Sequence, residues 1–237
     1  MERKIPFEEG ETYHLYTRGV DKRTIFASEQ DSERFLALLS LCNSKESVRI
    51  KPGRGEPSAK AFGAENASER IVGIFAYALM PNHIHLIVRE KKTGGISKFM
   101  LKLMTAYSMY FNTKYERSGP LFTRPFRSKH IDTDEYFQWV FAYVHLNPLG
   151  LFQSDWKEKG LSDKDGGVEF MRAYRYGSYQ DYFRGTRPES RILERGALPM
   201  SANDLGSMDD LLAALANDAY DYQKKRLLAS QSVAALV

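Results

Sequence analysis

The chain has 237 residues, is 43% hydrophobic and carries 14 Tyr and 14 Phe, enough apolar material for one sizeable core with appendages. Its 34 Lys and Arg against 30 Asp and Glu leave a net charge of +4, too small a bias to identify a partner. One cysteine, Cys42, excludes an internal disulfide and any cysteine-based zinc site. No apolar run reaches membrane-spanning length, and the N-terminal MERKIPFEEGE lacks the apolar segment of a signal peptide, so a soluble, cytoplasmic protein is expected.

Taken in order, Thr12 to Arg18 alternates and stops at Gly19, which predicts a first strand with His14 and Tyr16 on one face. Ser28 is placed to cap a helix from about Glu29 to Asn43, with Phe35, Leu36, Leu38, Leu39 and Cys42 as its apolar stripe. Residues 51–69, rich in Gly, Pro, Ala and Ser, read as a mobile insertion between elements. Ile71 to Leu79 and Asn82 to Arg89 are two apolar runs joined by Met80-Pro81-Asn82, and this turn chemistry predicts a hairpin. Thr93-Gly94-Gly95 breaks the chain before a helical period from Ile96 to Tyr115, and Phe126 to Ile131 reads as another strand. A helix then runs from about Asp134 to Leu146, with Asp132 or Thr133 as cap and Asn147-Pro148 as its stop. Asp155 to Gly167 reads as a polar loop, and Asp209 to Leu228 as a C-terminal helix. The order strand, helix, hairpin, helix, strand, helix implies an α+β fold, with helices packed on an antiparallel sheet.

The chemistry concentrates in two places. His83 and His85 are one residue apart on a strand, so both imidazoles share a face while Ile84, Leu86 and Val88 point into a core. Such a pair is either two core histidines bonded to backbone or a rigid half of a divalent-metal site. Tyr143 and Asn147 are four apart and lie on one helical face, whereas His145 between them points elsewhere. A Tyr hydroxyl serves as a covalent nucleophile, and an Asn carbonyl is a hard oxygen ligand compatible with Mg²⁺ or Mn²⁺ beside imidazoles. Tyr136, seven residues before Tyr143, is the rival nucleophile. The segment from Lys114 to His130 carries Lys114, Arg117, Arg124, Arg127 and Lys129 against one acid, Glu116. Basic residues interleaved with Phe122 and Phe126 suit a DNA backbone and unstacked bases, as well as an ordinary core edge. Arg18 follows the first strand and is a further DNA-contacting position.

Several stretches together resemble the IS200-type single-tyrosine (Y1) transposases, most closely the REP-associated tyrosine transposases. They are MPNHIHLIV at 80–88, GPLFTRPFR at 119–127, AYVHLNPL at 142–149, TRG at 17–19 and YGSYQDY at 176–182. The resemblance implies a ferredoxin-like HUH endonuclease fold. It implies His83, His85 and Asn147 as ligands of Mg²⁺ or Mn²⁺, and Tyr143 as nucleophile. Asn147 stands where many IS200 relatives carry Gln. The implied reaction cuts single-stranded DNA beside a hairpin through a 5′-phosphotyrosine, by a monomer or a homodimer. A catalytic domain over 1–150 followed by an extension over 151–237 is expected. The alternative is a domesticated protein that binds hairpin DNA without transposing it. A histidine-triad hydrolase is disfavoured because position 87 is Ile, and an RNA-processing enzyme would need a 2′-hydroxyl reader that is not apparent.

Overall fold

The computed structural model describes residues 6–45, 70–199 and 206–216. A four-stranded antiparallel sheet is formed by β1 (Thr12–Arg18), β2 (Val72–Met80), β3 (His83–Glu90) and β4 (Arg127–Ile131), in the order β2-β3-β1-β4. The helix α1 (Glu29–Leu41) connects β1 to β2, and α2 (Gly95–Lys114) connects β3 to β4. This strand-helix-strand arrangement, repeated around a central hairpin, is the α+β class expected from the element order, in the ferredoxin-like topology that the family resemblance implies.

Local chemistry sets the boundaries. Asp31 closes the start of α1, its Oδ2 accepting from the backbone of Ala27 and Ser28 at 2.9 Å each. Glu90, at the end of β3, accepts from the backbone N–H groups of Gly95 and Ile96 at 3.0 and 2.6 Å. Its carboxylate thereby satisfies orphan donors in the first turn of α2. Gly94 before it adopts φ 78°, a left-handed conformation that glycine takes without steric cost.

Alternation divides the sheet into two faces. Leu15, Ile84, Leu86 and Val88 pack with α1 and α2, where Phe35, Phe99, Leu103 and Tyr107 complete one core. The opposite face presents His14, Tyr16, His83 and His85 toward α3 (Asp134–Leu146). Thr133 caps α3 by accepting from Tyr136 N at 3.1 Å. α3 is apolar nearly all round because it is covered on all sides: the sheet lies beneath it, and later helices lie over it.

Those later helices are α4 (Leu149–Phe152), α5 (Trp156–Lys159), α6 (Lys164–Ala173), α7 (Tyr179–Phe183) and α8 (Met208–Ala216). Trp156, Met171, Tyr179, Met208 and Leu211 join the second core with Trp139, Val140 and Val144 of α3. The stretch 155–167, expected as a polar loop, instead contains α5 and the start of α6. Trp156 supplies the buried anchor that a solvated loop would lack. The C-terminal helix is described only to Ala216, so the rest of its expected span lies outside the described residues, as does the insertion at 51–69.

The outer edge of β2 is closed by residues 174–194. Ser178 N donates to Tyr77 O and Leu79 N to Tyr176 O, both at 2.9 Å. Tyr77 N donates to Ser178 Oγ at 2.9 Å, Tyr182 Oη to Phe75 O at 2.6 Å, and Tyr174 Oη to Leu79 O. Beneath this strap Arg187 meets fully buried Asp181 through Nε–Oδ1 at 2.7 Å and Nη2–Oδ2 at 2.8 Å.

Candidate active site

The site is built from β1, β3 and α3. Antiparallel register places Arg18 opposite His83, Tyr16 opposite His85 and His14 opposite Ile87. On the far side of β1, Tyr16 pairs with Arg127 and His14 with Lys129, so these two basic residues share the histidine face. The His83 and His85 rings are 5.1 Å apart at 89°. Tyr143 descends from α3 with its ring 5.5 Å from that of His85 and 6.0 Å from that of His14. Trp139, one turn earlier, stacks on Tyr143 at 5.2 Å and 14°, fixing the phenol's orientation. Asn147, one turn later, lies beside the His83 imidazole, where its side chain favours the protonated ring. The structure therefore brings His83, His85, Tyr143 and Asn147 together, with Arg18, Arg127 and Lys129 alongside.

Two residues that sequence reasoning did not place in the site are present. Fully buried His14 puts Nε2 2.9 Å from Nδ1 of His85. Strand alternation had shown that His14 shares a face with Tyr16, but not that β1 lies beside β3. Lys157 of α5 holds its ammonium 4.5 Å from the centroid of the Tyr143 ring. Its charge also reaches His83 and His85. Nothing in the local sequence marks a lysine of the extension as a neighbour of α3.

Other positions singled out earlier lie elsewhere. Lys114 binds buried Asp31 at 2.7 Å, in the α1–α2 layer on the other side of the sheet. Arg117 donates to Asn112 Oδ1 at 2.9 Å. Phe122 is buried in the first core, and Phe126 stacks on Phe7 at 6.3 Å. Arg124 is exposed in the loop before β4. Tyr136 stacks on Trp139 at 6.2 Å and 18°, whereas the ring contacts with His14 and His85 are made by Tyr143. His145 faces away from the site, its Nδ1 donating to Phe141 O and its Nε2 accepting from Ser178 Oγ at 2.8 Å each.

Burial sets the electrostatics. Desolvation lowers His83 to a pKa of about 4, despite the neighbouring Asn147 side chain, which acts the other way. It lowers His14 to about 3 and His145 to about 4, and it holds His85 well below the ordinary imidazole value, where His83, His14 and Lys157 reinforce it. All four are neutral at pH 7 and keep lone pairs. The unfolded chain takes up protons below 6.5 that the folded one refuses. The stability contributed is therefore complete above pH 6.5 and lost as pH falls toward 4 for His83 and His145, and toward 3 for His14. Each histidine makes the slope steeper by about 1.4 kcal/mol per pH unit in that window. Chemical denaturation in chelator at pH 7, 6 and 5 should show this steep acid loss, and a flat profile would contradict the burial of the set.

The donor set fits a divalent cation. His83 gives its Nδ1–H to Asn82 Oδ1 at 2.6 Å, which leaves Nε2 as its lone-pair nitrogen. His85 is likewise engaged at Nδ1 by His14. Among the described residues no three His, Cys, Asp or Glu side chains cluster to hold a metal, so a third protein donor here would be the Asn147 amide oxygen. Among the described residues, no helix is long and apolar enough to cross a membrane.

No curated protein matches the chain. Among solved structures, a REP-associated tyrosine transposase bound to a REP hairpin aligns with a TM-score of 0.45 and 11% identity, covering 77% of this chain and 84% of that one. The family described as "Transposase IS200 like" matches residues 10–147, a span that contains β1 through α3 and both halves of the site. By that match over more than half its length, the chain belongs to the IS200-like transposases, enzymes that break and rejoin DNA phosphodiester bonds.

Proposed function

We propose that the protein is a metal-dependent single-stranded DNA endonuclease and strand transferase, which cuts beside hairpin DNA with Tyr143 as nucleophile. The observation that carries this reading is the Tyr143 ring set 5.5 Å from His85, across the interface between α3 and the histidine-bearing face of the sheet. His83, His85 and Asn147 would hold Mg²⁺ or Mn²⁺, which when bound polarises the scissile phosphate. Tyr143 Oη attacks phosphorus, forming the Oη–P bond as the P–O3′ bond breaks. The phenolic proton goes to solvent, and the departing oxygen takes one up as a 3′-OH. Attack by a 3′-OH on the phosphotyrosine reverses the step, so the phosphodiester is conserved without an external energy source.

The remaining side chains position the strand. Arg18, Arg127 and Lys129 line the histidine face and suit phosphate contacts, which fix register without reading sequence. Arg124, exposed before β4, extends the same role. In this reading the catalytic unit spans residues 1–150, and the extension 151–237 contributes Lys157. That ammonium is placed to stabilise negative charge accumulating at the phosphate beside Tyr143. Lys157 is exposed, so Lys157→Gln should leave the melting temperature unchanged while slowing single-turnover cleavage by about a hundredfold.

The direct test incubates the protein and Mn²⁺ with a single-stranded oligonucleotide carrying a hairpin, followed by denaturation and intact-mass analysis. An adduct mapping to Tyr143 is expected. Cleavage without an adduct, or an adduct on Tyr136, would overturn the nucleophile assignment. Tight hairpin binding with neither product would mark a binding module.

A further inference from the structure

We propose that His14 is a positioning residue for the cation site: its Nε2 accepts a hydrogen bond from Nδ1–H of His85 and thereby keeps Nε2 of His85 as the ligating nitrogen. The inference rests on the reading that His83 and His85 hold a divalent cation, and it assigns a role to a buried residue that reading leaves unused.

The geometry leaves two senses for the contact. The nitrogens are 2.9 Å apart, and the rings lie 5.1 Å apart at 20°. If His14 donated, His85 would carry its hydrogen on Nε2 and could not ligate through it. If His85 donates, its Nε2 lone pair is exposed to a ligand, and His14 bears its hydrogen on Nδ1. A ligating imidazole is ordinarily held in this way, with its second nitrogen donating to a fixed acceptor. His83 follows the same pattern through Asn82 Oδ1. The two ligands are thus oriented by different partners, one from the hairpin turn and one from the neighbouring strand.

His14 is poorly explained as a packing residue. It is fully buried, and its Nδ1 has no hydrogen-bond partner among the described residues. A buried polar atom left unpaired opposes folding, and an apolar ring of similar shape would avoid it. His14→Phe removes that orphan nitrogen but creates another at Nδ1 of His85. The count of unpaired buried ring nitrogens is unchanged, so the stability change should be small.

The test measures Mn²⁺ affinity by calorimetry on the full chain for wild type, His14→Phe, His14→Gln and His83→Ala, with melting temperatures in chelator. His14→Phe should melt near wild type yet bind Mn²⁺ about 10–100-fold more weakly. His14→Gln, whose amide oxygen can accept near the same point, should recover most of that loss. In parallel, long-range ¹H–¹⁵N spectra of Mg²⁺-saturated wild type should show the protonated nitrogen of His85 at Nδ1. The proposal is overturned if that hydrogen sits on Nε2, or if His14→Phe binds Mn²⁺ like wild type while His83→Ala does not. Should His14→Phe fail to fold, the Gln variant and the wild-type spectra decide alone. If wild type binds no Mn²⁺, or His83→Ala binds it undiminished, the ligand assignment of His83 and His85 falls, and this proposal falls with it.

Discussion

Tyr143→Phe should abolish the covalent adduct and lower cleavage of a hairpin-bearing single strand by about 10⁴-fold or more, since no other group replaces a lost nucleophile. The change removes one oxygen and leaves the ring. Its stack on Trp139 at 5.2 Å and its edge contact with His85 survive, so folding free energy should move by no more than about 1 kcal/mol. Affinity for the hairpin oligonucleotide, read by fluorescence anisotropy, should stay within a few-fold of wild type. Tyr136→Phe is the matched control and should cleave normally, because the ring contacts with His14 and His85 belong to Tyr143, while Tyr136 stacks on Trp139. Retained nicking by the Tyr143 variant would remove the foundation of the catalytic reading.

Arg187→Met should be the most destabilising single change outside the two apolar cores, by about 3–5 kcal/mol. Asp181 is fully buried, and Arg187 is its countercharge through two hydrogen bonds of 2.7 and 2.8 Å. Ser190 Oγ also donates to Asp181 Oδ1 at 2.7 Å, but a neutral donor does not neutralise a carboxylate. Removing the arginine leaves a desolvated charge at the core. The double variant Asp181→Leu/Arg187→Met should regain most of the lost stability, because the cost belongs to the unpaired charge. Denaturant titration of both variants checks this, and additive losses would show that the pair contributes in some other way.

Much of this architecture is legible in the residues themselves. Alternation from Thr12 to Arg18 and the helical period from Asp134 to Leu146 have the bounds of β1 and α3. Strong local signals mark both: Gly19 after the strand, and Thr133 and Asn147-Pro148 around the helix. His83 and His85 declare themselves because two-residue spacing on a strand leaves no choice of face. The four-residue interval likewise puts Tyr143 and Asn147 on one side of α3. What alternation cannot supply is the neighbour. His14 becomes a partner of His85 only through the β1–β3 register, a long-range pairing with no local signature. Lys157 needs the docking of the extension against α3, which depends on Trp156 and other contacts distant in sequence. The basic run from Lys114 to Lys129 shows the reverse error. Its charges look continuous along the chain, yet the fold sends Lys114 to a buried aspartate on one side of the sheet and Lys129 to the other.

The strap along β2 has a consequence for self-association. An unoccupied strand margin invites another polypeptide to continue the hydrogen-bond ladder. Here the main-chain groups of Phe75, Tyr77 and Leu79 already have partners from residues 174–182. Among the described residues, a second subunit lengthening the sheet would add beyond β4, next to Arg127 and Lys129 and the basic rim of the site, or first displace residues 174–182.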